Sequence, residues 1–438
     1  MSESNGRHRD NSRENPTQSE AGASTNESAR FQFRDQRVSL VKNGQLVETV
    51  VSDDGYFQFA IAGESAPVNS IEDGKAQILP PYNLRAMWET GLVRFPSCAD
   101  FCGSTGQLVE ELERFIACYA NVPHDWLEII ALYVLMTWVY DRFTAVPYLR
   151  FMGEPGTGKT RLLHICVSVS YKGIAASGNI TGPALFRTID LIRGTMAVDE
   201  ADFKSSEEWS DITKVLNNGY TTGAPVVRCE RLGTDFTPHA MHVYGPKIIS
   251  TRLRFSDEAL ESRCLTLETR EEQLPAHIPL QLPHTFEREA RALRNKLLTW
   301  RFGNFFRIQA REDEMRSLSP RTGQIGASLA AVAPSVESRA RLVNFLSNYD
   351  ASRREDGPKG MVLQGLNKLR ESGSLGATVG DVAKAVNDIS ESLGCDWLSA
   401  KRVGGILRSL GFTPRRTKEG YVVDLSAAGG TCRRGVNV

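Results

Sequence analysis

No apolar run in this sequence is long enough to cross a bilayer. The longest, Trp126 to Val139, is broken by Glu128 and followed by Asp141 and Arg142. It is too short for a membrane span and suits a buried helix. Met1 is followed by Ser, Asn, Arg, Glu and His without an apolar core, so no signal peptide is expected and the chain reads as cytoplasmic. Excess charge is also lacking. Lys+Arg and Asp+Glu both number 52, which excludes a globally basic nucleic-acid binder and leaves only local patches to meet a polyanion. The eight cysteines are scattered; Cys98 and Cys102 are the only close pair, and no second pair completes a zinc set. Cys166, Cys229 and Cys264 sit in apolar runs and read as small core residues, reduced in a cytoplasmic protein. Residues 1–30 have almost no apolar side chains beyond a few Ala and are expected to form a disordered tail. No internal repeat is found.

What is present fits two to four domains in 438 residues, at an ordinary 41% apolar and 24% charged. Phe31-Gln-Phe33, Val38 to Val41 and Tyr56 to Phe59 are short, partly alternating runs punctuated by Asn43-Gly44 and Asp54-Gly55. They predict a small β module over 31–80. Residues 81–146 turn helical, with Leu108, Leu112, Phe115 and Ile116 on one stripe and Leu127 to Val139 in a second helix. From 147 to 270 short apolar strands alternate with helices, the pattern of an α/β fold with a parallel sheet. Residues 271–350 are helical again, and the polar stretch Ser352 to Pro358 reads as a linker. Three short helices and a terminal hairpin over 356–426 fit a winged helix, and 427–438 reads as a flexible tail.

Gly153-Glu154-Pro155-Gly156-Thr157-Gly158-Lys159-Thr160 matches G-x-x-x-x-G-K-[ST]. Glycines let consecutive backbone N–H groups curl around phosphate oxygens, and the helix beginning at Lys159 adds its positive end. In this motif the lysine reaches the β/γ-phosphates and the hydroxyl ligates Mg²⁺, roles that fall to Lys159 and Thr160. About forty residues on, the apolar run Gly194 to Val198 ends in Asp199-Glu200, at an interval that suits a neighbouring strand of one sheet. Asp199 is expected to hold the Mg²⁺ through water, and Glu200 to orient and deprotonate the attacking water. Asp202 is a helix cap or a second acid.

These motifs and their order resemble the AAA+ class of P-loop ATPases. The resemblance implies that Ser250, on the strand Lys247 to Thr251, senses the γ-phosphate. It implies that Arg263, at the end of the helix Ser256 to Ser262, reaches ATP bound by a neighbouring subunit. Ser319-Pro-Arg321-Thr is similar to the sensor-2 position, which gives Arg321 a γ-phosphate contact. Pro183-Ala-Leu-Phe-Arg187, Leu216-Asn-Asn-Gly219 and Val226-Val-Arg-Cys229 are similar to words in helicase-like ATPases of phages, plasmids and integrated elements. Those proteins are distant relatives of the minichromosome-maintenance helicases and often work beside a primase, and the resemblance covers roughly residues 110–425. It implies a hexameric ring and a pore hairpin built from Ala224 to Arg231 and Phe236 to Tyr244, with Arg228 and Arg231 meeting DNA phosphates. No zinc-binding module precedes the ATPase core, a departure from the minichromosome-maintenance pattern. Lys401, Arg402, Arg415 and Arg416 surround the expected recognition helix and wing, where cations suit DNA.

Two functions follow from the reading: a ring-forming DNA helicase or translocase for a mobile element, or a non-translocating ATP switch that loads a helicase or regulates transcription or defence. A small-molecule kinase is the third; the Asp199-Glu200 pair and the Arg263 helix speak against it, because they supply the parts of a hydrolase.

Overall fold

The computed structural model describes residues 33–176, 180–200, 206–232, 235–255, 257–392, 398–418 and 420–425. Both expected tails, Asp202 and the side chain of Arg231 lie outside the described residues. The chain begins with six strands, β1 Phe33–Gln36, β2 Ser39–Lys42, β3 Gln45–Val51, β4 Phe57–Ile61, β5 Ile71–Asp73 and β6 Ala76–Leu79. They form two three-stranded sheets, ordered β1-β6-β5 and β2-β3-β4. Helices α1 Arg85–Glu89, α2 Thr105–Tyr119 and α3 His124–Thr137 follow. Ser104 and Gln107 close the start of α2 with a reciprocal capping box.

The centre of the molecule is built from β7 Tyr148–Met152, α4 Lys159–Val169, β8 Ile174–Ala176, α5 Gly182–Ile192, β9 Met196–Val198, α6 Ser206–Asn218, β10 Val226–Leu232, β11 Asp235–Met241, β12 Lys247–Thr251, α7 Glu258–Glu261 and β13 Cys264–Glu268. Strands β13, β7, β12, β9 and β8 pair in that order, all parallel, while β10 and β11 form a separate antiparallel hairpin. The acidic strand β9 is in the sheet of the P-loop strand β7, but the expectation from spacing that the two are neighbours does not hold: β12 lies between them. Strand side chains alternate between two cores. Leu149, Phe151, Ile248 and Leu265 point toward α3, α4 and α8, whereas Tyr148, Met196, Val198 and Ile249 point toward α5 and α6. A sheet buried on both faces explains the nearly unbroken apolar strands.

Helices α8 Phe286–Asn304, α9 Pro320–Val332 and α10 Val336–Asp356 pack on the α3/α4 side. The C-terminal elements are α11 Pro358–Glu371, β14 Gly376–Thr378, α12 Val379–Ser392, α13 Ala400–Ser409, β15 Arg415–Thr417 and β16 Gly420–Asp424, with sheet order β14-β16-β15. The stretch expected to be a linker is helical to Asp356, and Gly357 alone separates α10 from α11. Its polar residues are the solvated last turns of α10, and Pro358 opens the next helix at a position where its missing N–H costs nothing.

The amino-terminal strands are tied into the rest of the chain by a buried charge cluster. Glu48 of β3 is 1% exposed. Its carboxylate accepts from Arg301 Nε of α8 at 2.8 Å and from Tyr171 OH at 2.9 Å, and Lys172 Nζ stands 3.2 Å away. Arg301 also grips Asp141 through both terminal nitrogens, at 2.9 and 2.8 Å. Burial pulls the Lys172 ammonium below its ordinary pKa, an effect that the neighbouring carboxylate opposes. Removing one member of such a cluster leaves uncompensated buried charge, at a cost of about 3–5 kcal/mol. Glu48→Ala is therefore expected to lower the unfolding free energy by that much, and Glu48→Gln by less, since the amide still accepts. A shift below about 1 kcal/mol in an equilibrium melt would contradict this burial.

Candidate nucleotide site

The P-loop follows from β7 without a break. Gly156 and Gly158 take φ of +88° and +89°, left-handed values that side chains with a Cβ resist. Gly158 thereby caps α4 and turns the first amides of the helix toward the loop. A Cβ on Gly153 would stand 2.3 Å from the Thr269 carbonyl oxygen, so only glycine fits there. Thr269 itself was not legible as a site residue. Its hydroxyl meets that of Thr157 at 2.7 Å, and its N–H donates to Met152 O at 2.7 Å, pinning the loop to the end of β13. Lys159 Nζ donates to Glu154 O across the loop at 2.7 Å.

The acids lie at the same sheet edge. Thr160 Oγ1 donates to Asp199 Oδ1 at 3.2 Å. That oxygen also accepts from the Ser250 hydroxyl and from Glu200 N–H at 3.1 Å. Ser250, 1% exposed, accepts from Glu200 N–H at 2.8 Å. Strand β12 thus inserts a hydroxyl between the P-loop and the acidic strand end. Glu200 has φ of +50°, uncommon for a residue other than glycine and found disproportionately at functional sites. Its side chain is exposed at the edge.

Beside the loop lies a cavity of about 850 Å³, lined by Gly156, Thr157 and Gly158 on one wall and by Trp126, Tyr349 and Arg353 on another. Trp126 packs edge-on against Phe345 and Tyr349, with centroids 5.0 and 6.1 Å away. Arg150, fully buried in the middle of β7, lines the same cavity. Its guanidinium holds Glu261 of α7 at 2.7 and 2.5 Å and lies over the Phe255 ring at 4.9 Å. The Glu261 carboxyl lies below its usual range; burial would raise it, and the charge and hydrogen bonds of Arg150 overcome that.

Arg263 stands at the opposite edge of the sheet. It directly precedes Cys264, which pairs with Tyr148 at the start of β7, whereas the P-loop leaves the far end at Met152. Five residues of strand separate the two edges by about 15 Å. Arg263 is 9% exposed, donates to Asn217 Oδ1 and stacks on Tyr220 with Cζ 4.2 Å from the ring centroid. Arg321 lies over the same ring at 5.0 Å. It is therefore grouped with Arg263 and not with the P-loop of its own chain. Hydrogen bonding from Arg321, helped by its charge and that of Arg263, holds the Tyr220 phenol below its ordinary pKa. The preceding residue, Gly219, is fixed by Lys247, whose buried ammonium donates to the carbonyls of Gly219, Val243 and Gly245 at 3.1, 2.7 and 2.9 Å.

The expected nucleic-acid residues are dispersed. On the β10–β11 hairpin Arg228 is half-buried and turns toward α5, with Cζ 4.6 Å from the Phe186 ring centroid. Lys401, Arg415 and Arg416 are exposed. Arg402 is exposed too and pairs with Glu258 of α7 at 2.7 Å.

No protein-family model and no curated protein matches the chain. Among solved structures it is similar to an SCCmec type IV Cch protein described as an active helicase, at 11% identity. That match covers 90% of this chain and 79% of the other, with a TM-score of 0.43. It is also similar to the C-terminal region of NrS-1 in its A-form apo structure, at 11% identity over 86% of this chain and 96% of that one, with a TM-score of 0.30. A further apo structure of that region gives 0.34 over 86% and 95%.

Asn217 and Tyr220 were missed as partners of Arg263. A signal existed, since Asn217 lies inside the quoted word Leu216-Asn-Asn-Gly219, but nothing local tells which arginine it meets. Arg150 carried the plainest unread signal: a charged residue in an apolar strand of a two-faced sheet demands a buried partner. Among the described residues no helix is long and apolar enough to cross a membrane.

Proposed function

We propose that this chain is a Mg²⁺-dependent ATPase of the AAA+ type that works as a ring on DNA, as a helicase or translocase for replication of a mobile element. The observation carrying the reading is the contact of Thr160 with Asp199, with Lys159 on the same loop and Glu200 next in sequence. A hydroxyl and a carboxylate within hydrogen-bond reach are the hard oxygen donors that Mg²⁺ takes alongside phosphate oxygens, so the residues fit the ion. Bound there, it would neutralise phosphate charge.

The chain's own residues account for the rest of hydrolysis. The P-loop amides and Lys159 bind and orient the triphosphate, and the aromatic-walled cavity beside Gly156 suits the nucleoside. Glu200, held by its N–H to Ser250 and Asp199, accepts a proton from the water that attacks the γ-phosphorus. A new O–P bond forms as the bond to the β-phosphate oxygen breaks. Ser250 ties the position of Glu200 to that of Asp199. Arg263 is too far from its own P-loop to help there, so any phosphate it stabilises belongs to a neighbouring subunit. Arg321, beside it on Tyr220, faces the same neighbour. An inserted strand between β7 and β9 supports an ATPase of this class over a small-molecule kinase. The three C-terminal helices and the sheet β14-β16-β15 support a winged helix. Exposed Lys401, Arg415 and Arg416 suit a DNA backbone, and a primase remains the partner that the resemblance implies.

The alternative, a non-translocating switch, draws on one contact. Arg402 of the would-be recognition helix is engaged by Glu258 of α7, the helix that leads into Arg263, as in a module that reports on the ATPase without moving along DNA. Strand displacement on a forked duplex separates the two. The full chain with Mg-ATP is expected to open the fork. Lys159→Ala, without the cation facing the β/γ-phosphates, should neither open it nor bind ATP tightly. ATP affinity within about twofold of wild type would remove the P-loop from the reading; normal ATPase without unwinding would favour the switch.

A further inference from the structure

A second pocket, of about 370 Å³, lies between α1 and α8 and shares no lining residue with the cavity at the P-loop. Trp88 forms part of its wall, and Arg94, Arg291 and Arg294 bring three guanidinium groups to it. Two of these arginines are buried, Arg94 at 8% and Arg294 at 2% exposure. Their carboxylate supply is thin. Glu89, also in the wall, is taken by Arg85 at 2.8 Å. Asp53 pairs with Arg291 from the outside. That leaves half-exposed Glu287 to serve Arg294 at 2.6 Å and Arg94 at 3.7 Å.

The unmet groups are all donors. Arg94 Nη1 is buried and has no hydrogen-bond partner. Arg94 Nη2 meets His164 Nε2 at 3.2 Å. A guanidinium can only donate, so Nε2 accepts and the ring proton sits on Nδ1. His164 Nδ1 is likewise buried without a partner. A buried guanidinium hydrogen and a buried imidazole hydrogen therefore both lack an acceptor, beside a surplus of positive charge. Burial pulls Arg94 below its ordinary pKa and Arg294 down to about 10, and burial with the Arg94 charge lowers His164. The shifts of Arg94 and Arg294 mark cations short of counter-charge, and that of His164 favours the neutral ring.

We propose that this pocket is a binding site for a small phosphate-bearing anion, distinct from the candidate nucleotide site and held chiefly by Arg94 and Arg291, with Arg294 adding charge while it donates to Phe95 O, Ser168 O and Glu287. Guanidinium forks match phosphate oxygens, and a phosphate oxygen supplies an acceptor to Arg94, the member of the unpaired group that lines the pocket. The space suits anything from free phosphate to a nucleoside monophosphate, whose base would find an aromatic wall in Trp88.

The test uses the full chain carrying Lys159→Ala, so that binding at the P-loop does not intrude. Isothermal titration with inorganic phosphate and with adenosine monophosphate is expected to give saturable binding of at least one, with thermal stabilisation that grows with ligand concentration. Arg94→Gln in that background should weaken binding at least tenfold. Its unliganded melting temperature should not fall, because a buried charge short of counter-charge has been removed. Arg291→Gln, nearer the rim, should weaken binding in the same direction and keeps the test open if the buried variant fails to fold. Loss of nucleotide but not phosphate binding in Trp88→Ala marks a nucleoside phosphate as the ligand; equal binding of both in that variant marks free phosphate. No saturable binding of either, or binding unchanged in both arginine variants, overturns the proposal. Since every arm lacks Lys159, these results stand apart from the ATPase reading.

Discussion

Rings mixed from two inactive variants are expected to hydrolyse ATP. Arg263→Ala alone should bind ATP nearly normally, because Lys159, Thr160 and Asp199 are untouched, yet lose roughly 10³-fold or more in turnover, the range of an arginine supplied to a phosphoryl group in trans. Wild-type hydrolysis should rise more than linearly with protein concentration until rings close. Arg263 lies at the β13 edge that faces away from the P-loop and is fixed there by Asn217 and Tyr220. No side-chain rotation carries it about 15 Å to its own site. Mixing Arg263→Ala with Glu200→Gln creates interfaces where an intact glutamate meets an intact arginine. Activity should return in part. Rings shown to be mixed but still inactive, or a rate per subunit independent of concentration, would remove Arg263 from the chemistry.

The glutamate variant makes the second large effect. Glu200→Gln keeps the backbone N–H that Ser250 and Asp199 hold, so nucleotide and ion should bind as before. A carboxamide cannot accept the proton of the attacking water, and turnover is expected to fall roughly 10²–10⁴-fold, the span of general-base catalysis. The variant should accumulate as an ATP-bound oligomer. Glu200→Asp shortens the side chain while keeping the base and should recover part of the rate. Unchanged turnover in Glu200→Gln would move the base elsewhere, with Asp202 the first residue to examine.

The candidate nucleotide site was readable because its residues lie in two local words. Consecutive residues from Gly153 to Thr160 form one loop, and Asp199-Glu200 closes one strand. Sequence gives the order of strands along the chain, but not across a sheet, so the position of β12 between β7 and β9 could not be read from spacing. Long-range pairs were hidden for the same reason. Arg150 and Glu261 are separated by 111 positions and Glu48 and Arg301 by 253. Each looks like an ordinary charge until the fold buries it. The stretch Ser352 to Pro358 resembles a linker because solvated helical turns and linkers share a composition; only backbone hydrogen bonding tells them apart. The β module was visible as alternating runs. That β3 is buried on both of its faces, with Leu46 and Val50 in the main core and Val47 in a small core of its own, depends on partners that lie elsewhere in the chain.

The grip of the buried Arg150 on Glu261 has a consequence for timing. Strand β7 carries the phosphate loop at one end, and its middle is clamped to the short helix that ends just before Arg263. In a ring, one edge of each subunit would hold its own nucleotide while the other serves the next. Strand β7 and helix α7 would then act as a stiff connecting rod, so that a shift of the loop on losing phosphate reaches the adjoining site as a displacement of Arg263. Firing around the ring would be sequential for a mechanical reason, and slackening the rod with Glu261→Gln should blur the order of firing before it weakens nucleotide binding, which single-turnover measurements on mixed rings can resolve.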